Sequence, residues 1–158
     1  MNDVALPWNV NAAINDVRLN HLTPAMLEAT TPGDGYTVAQ HLAHMAECLK
    51  SWVGELEASA VKDLPDLYSN YDPATGRFDA EQNLERIQSV MKQTRDTVFT
   101  TALNAKDKGN LPHATVGKFL IIHMMTHDAH HRGQILLALK TNGHALPDEE
   151  SMWLPWRS

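Results

Sequence analysis

Hydrophobic residues recur along the chain at the three- and four-residue spacing of amphipathic helices, in four separate stretches. The first runs from about Val10 to Ala29, with Val10, Ile14, Val17 and His21 along one stripe and Asn9 or Asn11 as its cap. Pro24 removes a backbone donor inside this stretch, so a break is expected at Leu22 or Thr23, with Thr23 capping whatever follows. The second starts at Thr37, where Thr37-Val-Ala-Gln40 reads as a capping box. It carries Val38, His41 or Leu42, Met45, Leu49, Trp52 and Leu56 to about Ala60. The third covers about Asp79 to Ala105, with Asp79 and Gln82 at capping-box spacing and Leu84, Ile87, Val90 or Met91, Thr94, Val98 and Leu103 facing inward. The fourth extends from Thr115 to Thr141 and stops at Asn142-Gly143, where glycine suits a left-handed cap.

The connections are uneven. Thr31-Pro-Gly-Asp-Gly-Tyr36 is a turn by composition. Residues Val61 to Phe78 form a long link without helical or strand periodicity. A link of that length between helices crosses a bundle or covers a site, and Tyr68, Tyr71 and Phe78 are expected to pack it down. Four helices with one long crossover between the second and third predict an all-α four-helix bundle, a single domain over residues 1–158. In the tail from His144 to Ser158, Trp153 and Trp156 are expected to pack on their own domain or on a partner subunit.

Composition adds exclusions more than it adds detail. With 43% hydrophobic and 20% charged residues among 158, the chain is ordinary for a globular protein with a real core. A net charge of −6 and the lack of any Lys/Arg run argue against nucleic acid as a partner. The single cysteine, Cys48, allows no intrachain disulfide and fits a reducing compartment. No apolar run reaches the length of a membrane span, and Met1 to Pro7 lacks the basic start and apolar core of a signal peptide. A cytoplasmic location is the expectation.

The chemistry concentrates in the fourth helix. His123, His127, His130 and His131 fall within nine residues. Positions four apart on a helix are displaced by about 40° around the axis and about 6 Å along it, so His123, His127 and His131 form a stripe flanked by His130. Two imidazoles at i and i+4 can close on one divalent ion. The second helix offers His41 and His44 as the third ligand, and spacing alone does not choose between them. Three imidazoles leave positions for water or substrate, the arrangement of a catalytic rather than a structural site. Zinc, nickel, iron and manganese all suit such a donor set. Glu47 and Cys48 lie one turn beyond His44. Glu47 reads as a group that holds a metal-bound water or orients a ligand, and Cys48 as a small buried residue more than a thiolate ligand. Gln134, one turn past His131, is positioned to reach substrate. Arg132 is expected in a salt bridge to another helix, and Gly133 at a close approach of a neighbouring helix or subunit. His21 reads as structural or solvated.

A histidine after Leu42-Ala43 near the start of a helix, followed late in the chain by His127-x-x-x-His131-Arg-Gly-Gln134, resembles the DinB/YfiT-like superfamily over nearly the whole sequence. The resemblance implies a metal-binding four-helix bundle, usually a homodimer, with the ion held by His44, His127 and His131. It leaves His41, His123 and His130 as extra histidines that line the cleft, His41 and His123 being placed to pass protons or bond a bound water. Members of that superfamily include thiol S-transferases that use low-molecular-weight bacterial thiols, so the implied activity is metal-dependent activation of a thiol against a small electrophile. The alternatives are a non-catalytic, stress-associated metal-binding protein and, more remotely, a hydrolase, since His127-Asp128-x-x-His131 echoes the zinc-protease pattern. Glu47, Gln134 and His123 are the candidate catalytic residues.

Overall fold

The computed structural model describes residues 4–105 and 118–157. Four long helices carry the architecture: α1 (Ala5–His21), α2 (Val38–Gly54), α4 (Leu84–Ala105) and α5 (Lys118–Thr141). A short α3 (Ala58–Val61), two strands β1 (Tyr68–Asp72) and β2 (Arg77–Ala80), and a terminal α6 (Glu149–Trp153) complete it. The fold is all-α in its core, with α2 packed against both α4 and α5, and α5 against α1.

The elements depart from the expected bounds for identifiable reasons. Helix α1 starts five residues earlier than Val10 because Val4 and Trp8 add a turn of buried surface, with Trp8 stacked on Phe99 at 4.9 Å. Pro7 is tolerated because it sits in the first turn, where no intrahelical donor is lost. The chain leaves the helix at Leu22, and Thr23 to Leu27 make only a 3-10 turn with no side-chain cap from Thr23. Helix α2 opens with the full Thr37/Gln40 capping box, but ends at Gly54 rather than near Ala60. A Cβ at Gly54 would lie 3.2 Å from Val61 Cγ2, so the chain folds back closely here and α3 is a separate turn.

The link from Val61 to Phe78 is not irregular throughout. Strands β1 and β2 pair antiparallel as a hairpin, Tyr68 opposite Ala80 and Asp72 opposite Arg77, with an irregularity between Ser69 and Asp72 and Asn70 at a φ of 52°. Gly76 takes the left-handed conformation at the turn, where Asp72 accepts from Ala74 and Thr75. The hairpin lies on α2 and holds itself together through Tyr68, Tyr71 and Phe78. Because β2 continues to Ala80, the third long helix cannot begin at Asp79. Its cap is Asn83, whose Oδ1 accepts from the Arg86 amide, while Glu81 accepts from the Gln82 and Asn83 amides.

The start expected for the fourth helix, Thr115, lies outside the described residues. Its end is a Schellman motif: the His144 amide donates to the Leu139 carbonyl and the Gly143 amide to Lys140, with Gly143 at a φ of 76°. Beyond it, Asp148 caps α6 through the Ser151 amide, and α6 packs on α1. The tail is further tied by His21 Nε2, 2.9 Å from the Ala145 carbonyl oxygen. Trp153 and Trp156 keep 52% and 59% of their surface exposed, so their packing on the bundle is partial. No described helix is long and apolar enough to cross a membrane.

The interior is divided. One apolar cluster joins Leu19, Leu42, Met45, Ile87, Met91 and Ile135, and a second joins Trp8, Leu49, Val53, Val98, Leu120 and Met124. Between them along α1, α4 and α5 fall buried polar residues: Asn11, Asn15 and Arg18 of α1, Thr94 of α4, and Asp128 and His131 of α5, with His41 buried on α2 within the span of the first cluster. Burying a polar layer is costly unless its members serve one another or a ligand.

Candidate metal centre

Helices α2 and α5 bring three of the histidines to one point. The Nε2 atoms of His131 and His127 are 3.0 Å apart and those of His127 and His44 are 3.4 Å apart, and one nitrogen from each ring lies within 4.8 Å of the others. A divalent ion with imidazole nitrogens at about 2.05 Å and tetrahedral angles would separate those nitrogens by about 3.3 Å. The separations of the His131–His127 and His127–His44 pairs are therefore close to those of nitrogens that share an ion. Burial is the first cause that lowers the basicity of each ring, helped for His127 and His131 by the neighbouring histidines: His127 falls from 6.5 to about 4, His131 to about 3, and His44 shifts the same way. At neutral pH the rings are uncharged and their lone pairs are free for a cation.

His41 has a different part in the same cluster. Its Nδ1 lies 3.0 Å from His131 Nδ1, on the far side of the ring from the triad. This contact fixes the ring of His131 with Nε2 turned inward, as hydrogen-bond partners do for metal-bound histidines. Only 5% of His41 is exposed, and burial together with the nearby histidines and Arg18 pushes its pKa down to about 4. The spacing three apart put both His41 and His44 on the right face; the structure sets His44 in the triad and His41 behind it.

The remaining candidates surround the triad without joining it. His123 stacks on Trp52 at 4.3 Å, and Trp52 meets His127 edge-on at 5.0 Å, so His123 supports the wall of the cleft. His130 is exposed and touches the edge of the His131 ring at 5.0 Å. Cys48 Sγ is 3.5 Å from His44 Nε2, but burial and the adjacent Glu47 push its thiol up to about 11, so the thiolate is disfavoured. Glu47 pairs with Lys50 at 3.6 Å and bonds the Tyr68 hydroxyl; burial raises its carboxyl above the ordinary value. Gln134 is half-buried and, among the described residues, makes no hydrogen bond to the triad. A Cβ at Gly133 would meet nothing within 4 Å, so no neighbouring helix of this chain explains the glycine.

Behind the triad lies a group that the sequence reading missed. Asp128 is only 3% exposed; its Oδ2 accepts from Asn11 and Asn15 of α1. Arg132 Nη1 donates to the Oδ1 atoms of the same two asparagines, so it reaches α1 through amides rather than the expected salt bridge. Arg18 is fully buried, with no hydrogen-bond partner for its guanidinium and Asp128 as its chief electrostatic support. Asn11, Asn15 and Arg18 recur at helical spacing inside an otherwise apolar face, and that was the available signal. Asp128 Oδ2 is thus engaged with α1, while its buried Oδ1 has no hydrogen-bond partner among the described residues.

A cavity of about 410 Å³ opens beside His44, between α2 and the hairpin. Its lining includes Tyr36, Glu47, Trp52, Tyr68, Tyr71 and Phe78. The long link therefore stands over the histidine site.

A helical bundle whose facing helices converge three neutral imidazoles beneath a ring-lined cavity defines a class of protein with a site that can hold one metal ion and leave room for a small molecule. The chain belongs to the DinB family, whose family model matches residues 2–157. No curated protein and no solved structure gives a significant match.

Proposed function

We propose that the protein is a metal-dependent enzyme acting on a small molecule, most simply a transferase that joins a low-molecular-weight thiol to an electrophile. The observation that carries this reading is the junction of two features: the His44, His127 and His131 nitrogens converge, and a ligand-sized cavity begins at His44. When bound, a divalent ion supplies the Lewis acidity that keeps a thiol deprotonated at neutral pH. His44, His127 and His131 hold it, and His41 keeps His131 turned toward it. Trp52 and Tyr36 cover the triad from the side of the cavity and limit water there. Glu47 orients the incoming molecule. Zinc, nickel, iron and manganese remain the metals that this donor set suits.

The test is elemental analysis of the purified protein, followed by thiol-consumption assays across bacterial thiols with a panel of electrophiles. Turnover that disappears in His127→Ala supports the enzyme. A bound metal without turnover in any combination would leave a metal-stabilised bundle and sink the transferase. The family resemblance further supports a homodimer. Exposed Ile122, Ala129, Gly133 and Leu137 on one side of α5 offer it a small, apolar surface, and light scattering that finds only monomer would exclude it.

A further inference from the structure

We infer that the cavity beside His44 selects a small organic cation, an amine or quaternary ammonium on an apolar or aromatic body, and rejects anionic molecules of the same size. The inference rests on the reading of this cavity as the substrate pocket and adds the charge class of what enters.

Five aromatic residues line the cavity: Tyr36, Trp52, Tyr68, Tyr71 and Phe78. They are not loosely gathered. Phe78 meets Tyr36 edge-on at 5.4 Å and Tyr68 at 5.9 Å, while Tyr68 meets Tyr71 at 6.3 Å. Such contacts hold the rings as a fixed wall. Ring faces attract cations through their quadrupole, and enclosures of several rings are the recurring receptor for ammonium groups.

The fixed charge agrees with the rings. Glu47 lines the cavity, half-buried, and its one ammonium partner, Lys50, also pairs with Asp66. Two carboxylates thus share a single cation, and one formal negative charge is left over beside the pocket. Among the described residues no Lys or Arg lines the cavity. The hairpin that forms its outer wall carries Asp72 and Asp79 against Arg77. Away from the histidine triad, where a bound ion would itself attract an anion, an incoming carboxylate would lose its water without gaining a charged partner. An ammonium would meet Glu47 and the rings together. The cavity volume of about 410 Å³ suits a molecule of roughly one or two rings.

The test compares three probes with one phenyl body: benzyltrimethylammonium, 3-phenylpropionamide and 3-phenylpropionate. Each is titrated calorimetrically into the full chain, once after zinc loading and once after chelation. In the chelated protein the expected result is that the ammonium binds at least tenfold tighter than the propionate, with the amide between; zinc loading gives the carboxylate a partner at the triad and should narrow that gap. Glu47→Gln should reduce that preference about tenfold. Tyr71→Ala, on an exposed hairpin position that the core does not need, should weaken the ammonium several-fold and leave the propionate unchanged. In the chelated protein, equal or tighter binding of the propionate, no binding of any probe, or a preference untouched by Glu47→Gln would overturn the inference. The chelated arm separates the two claims: a protein that takes up no metal refutes the metal centre, while its charge preference is still measured.

Discussion

If the triad holds a metal, the ion links α2 to α5, and its binding energy must appear as folding stability. The perturbation is zinc added to chelator-treated protein at about a hundredfold excess over its dissociation constant. Since the triad forms only in the folded chain, the gain is RT ln(1 + [L]/Kd), or about 2.7 kcal/mol. At about 2–4 °C per kcal/mol for a chain of this size, the melting temperature should rise by about 5–10 °C. Two of the three nitrogen separations, 3.0 and 3.4 Å, are already close to those of a shared ion, and the rings are neutral, which keeps the opposing cost small. His127→Ala removes one of three ligands and should hold the rise below about 2 °C. His41→Leu leaves the ligands intact but frees the ring of His131. Loss of such a partner lowers metal affinity by about 10- to 100-fold, so at the same zinc concentration the rise should fall to about 1–5 °C. His41→Gln restores an acceptor and should recover much of it. Thermal denaturation followed by far-ultraviolet circular dichroism, with zinc competition against a chromophoric chelator, reads both quantities. A His127→Ala protein that gains as much from zinc as the parent would place the ion elsewhere and refute the triad.

The buried polar layer makes stability sensitive to pH and to its one carboxylate. His41, His127 and His131 have folded-state values of about 4, 4 and 3 against an ordinary 6.5, so between those limits the unfolded chain binds more protons than the folded one. Metal-free stability should therefore be full above pH 6.5 and decline as pH falls toward 4. Asp128 and Glu47, both raised, oppose the trend just above their ordinary values but are outnumbered; a urea midpoint that stays flat from pH 6.5 to 4 would contradict this account. Asp128→Ala leaves the buried Arg18 without its carboxylate, a change that costs about 3–5 kcal/mol and should lower the melting temperature by about 6–20 °C. A loss under 1 kcal/mol would show that Arg18 is compensated by other means.

What could be read from the sequence was what depends on local chemistry. The Thr37/Gln40 box, the Gly143 stop and the four apolar periodicities each rest on a few adjacent residues, and each stands in the structure. The histidine stripe was legible for the same reason, since i and i+4 on a helix is a local fact. The hairpin was not, because Tyr68–Asp72 is mostly exposed without alternation and Arg77–Ala80 alternates over only four residues, too short a run to stand out. Helix α2 was read too long because its end at Gly54 follows from the chain folding back onto Val61, which only tertiary packing shows. His41 and His44 share a helix face, so their separate positions depend on the approach of α5. Asn11 was read as a helix cap, and Asn15 and Arg18 were passed over, because their partner, Asp128, is more than a hundred positions away.

The hairpin carries a consequence of its own. The three ligand histidines sit on helices whose neighbours are the two halves of the core, whereas Tyr68, Tyr71, Gly76 and Phe78 reach the cavity from a crossover with an exposed tip. Part of the cavity wall is thus encoded on a stretch of chain under looser packing constraint than the helices that carry the histidines and Glu47. Loops tolerate substitution and changes of length that helices in a core do not. Substitutions or changes of length between residues 66 and 80 can therefore reshape the outer wall of the cavity while leaving the histidine cluster and Glu47 on α2 in place.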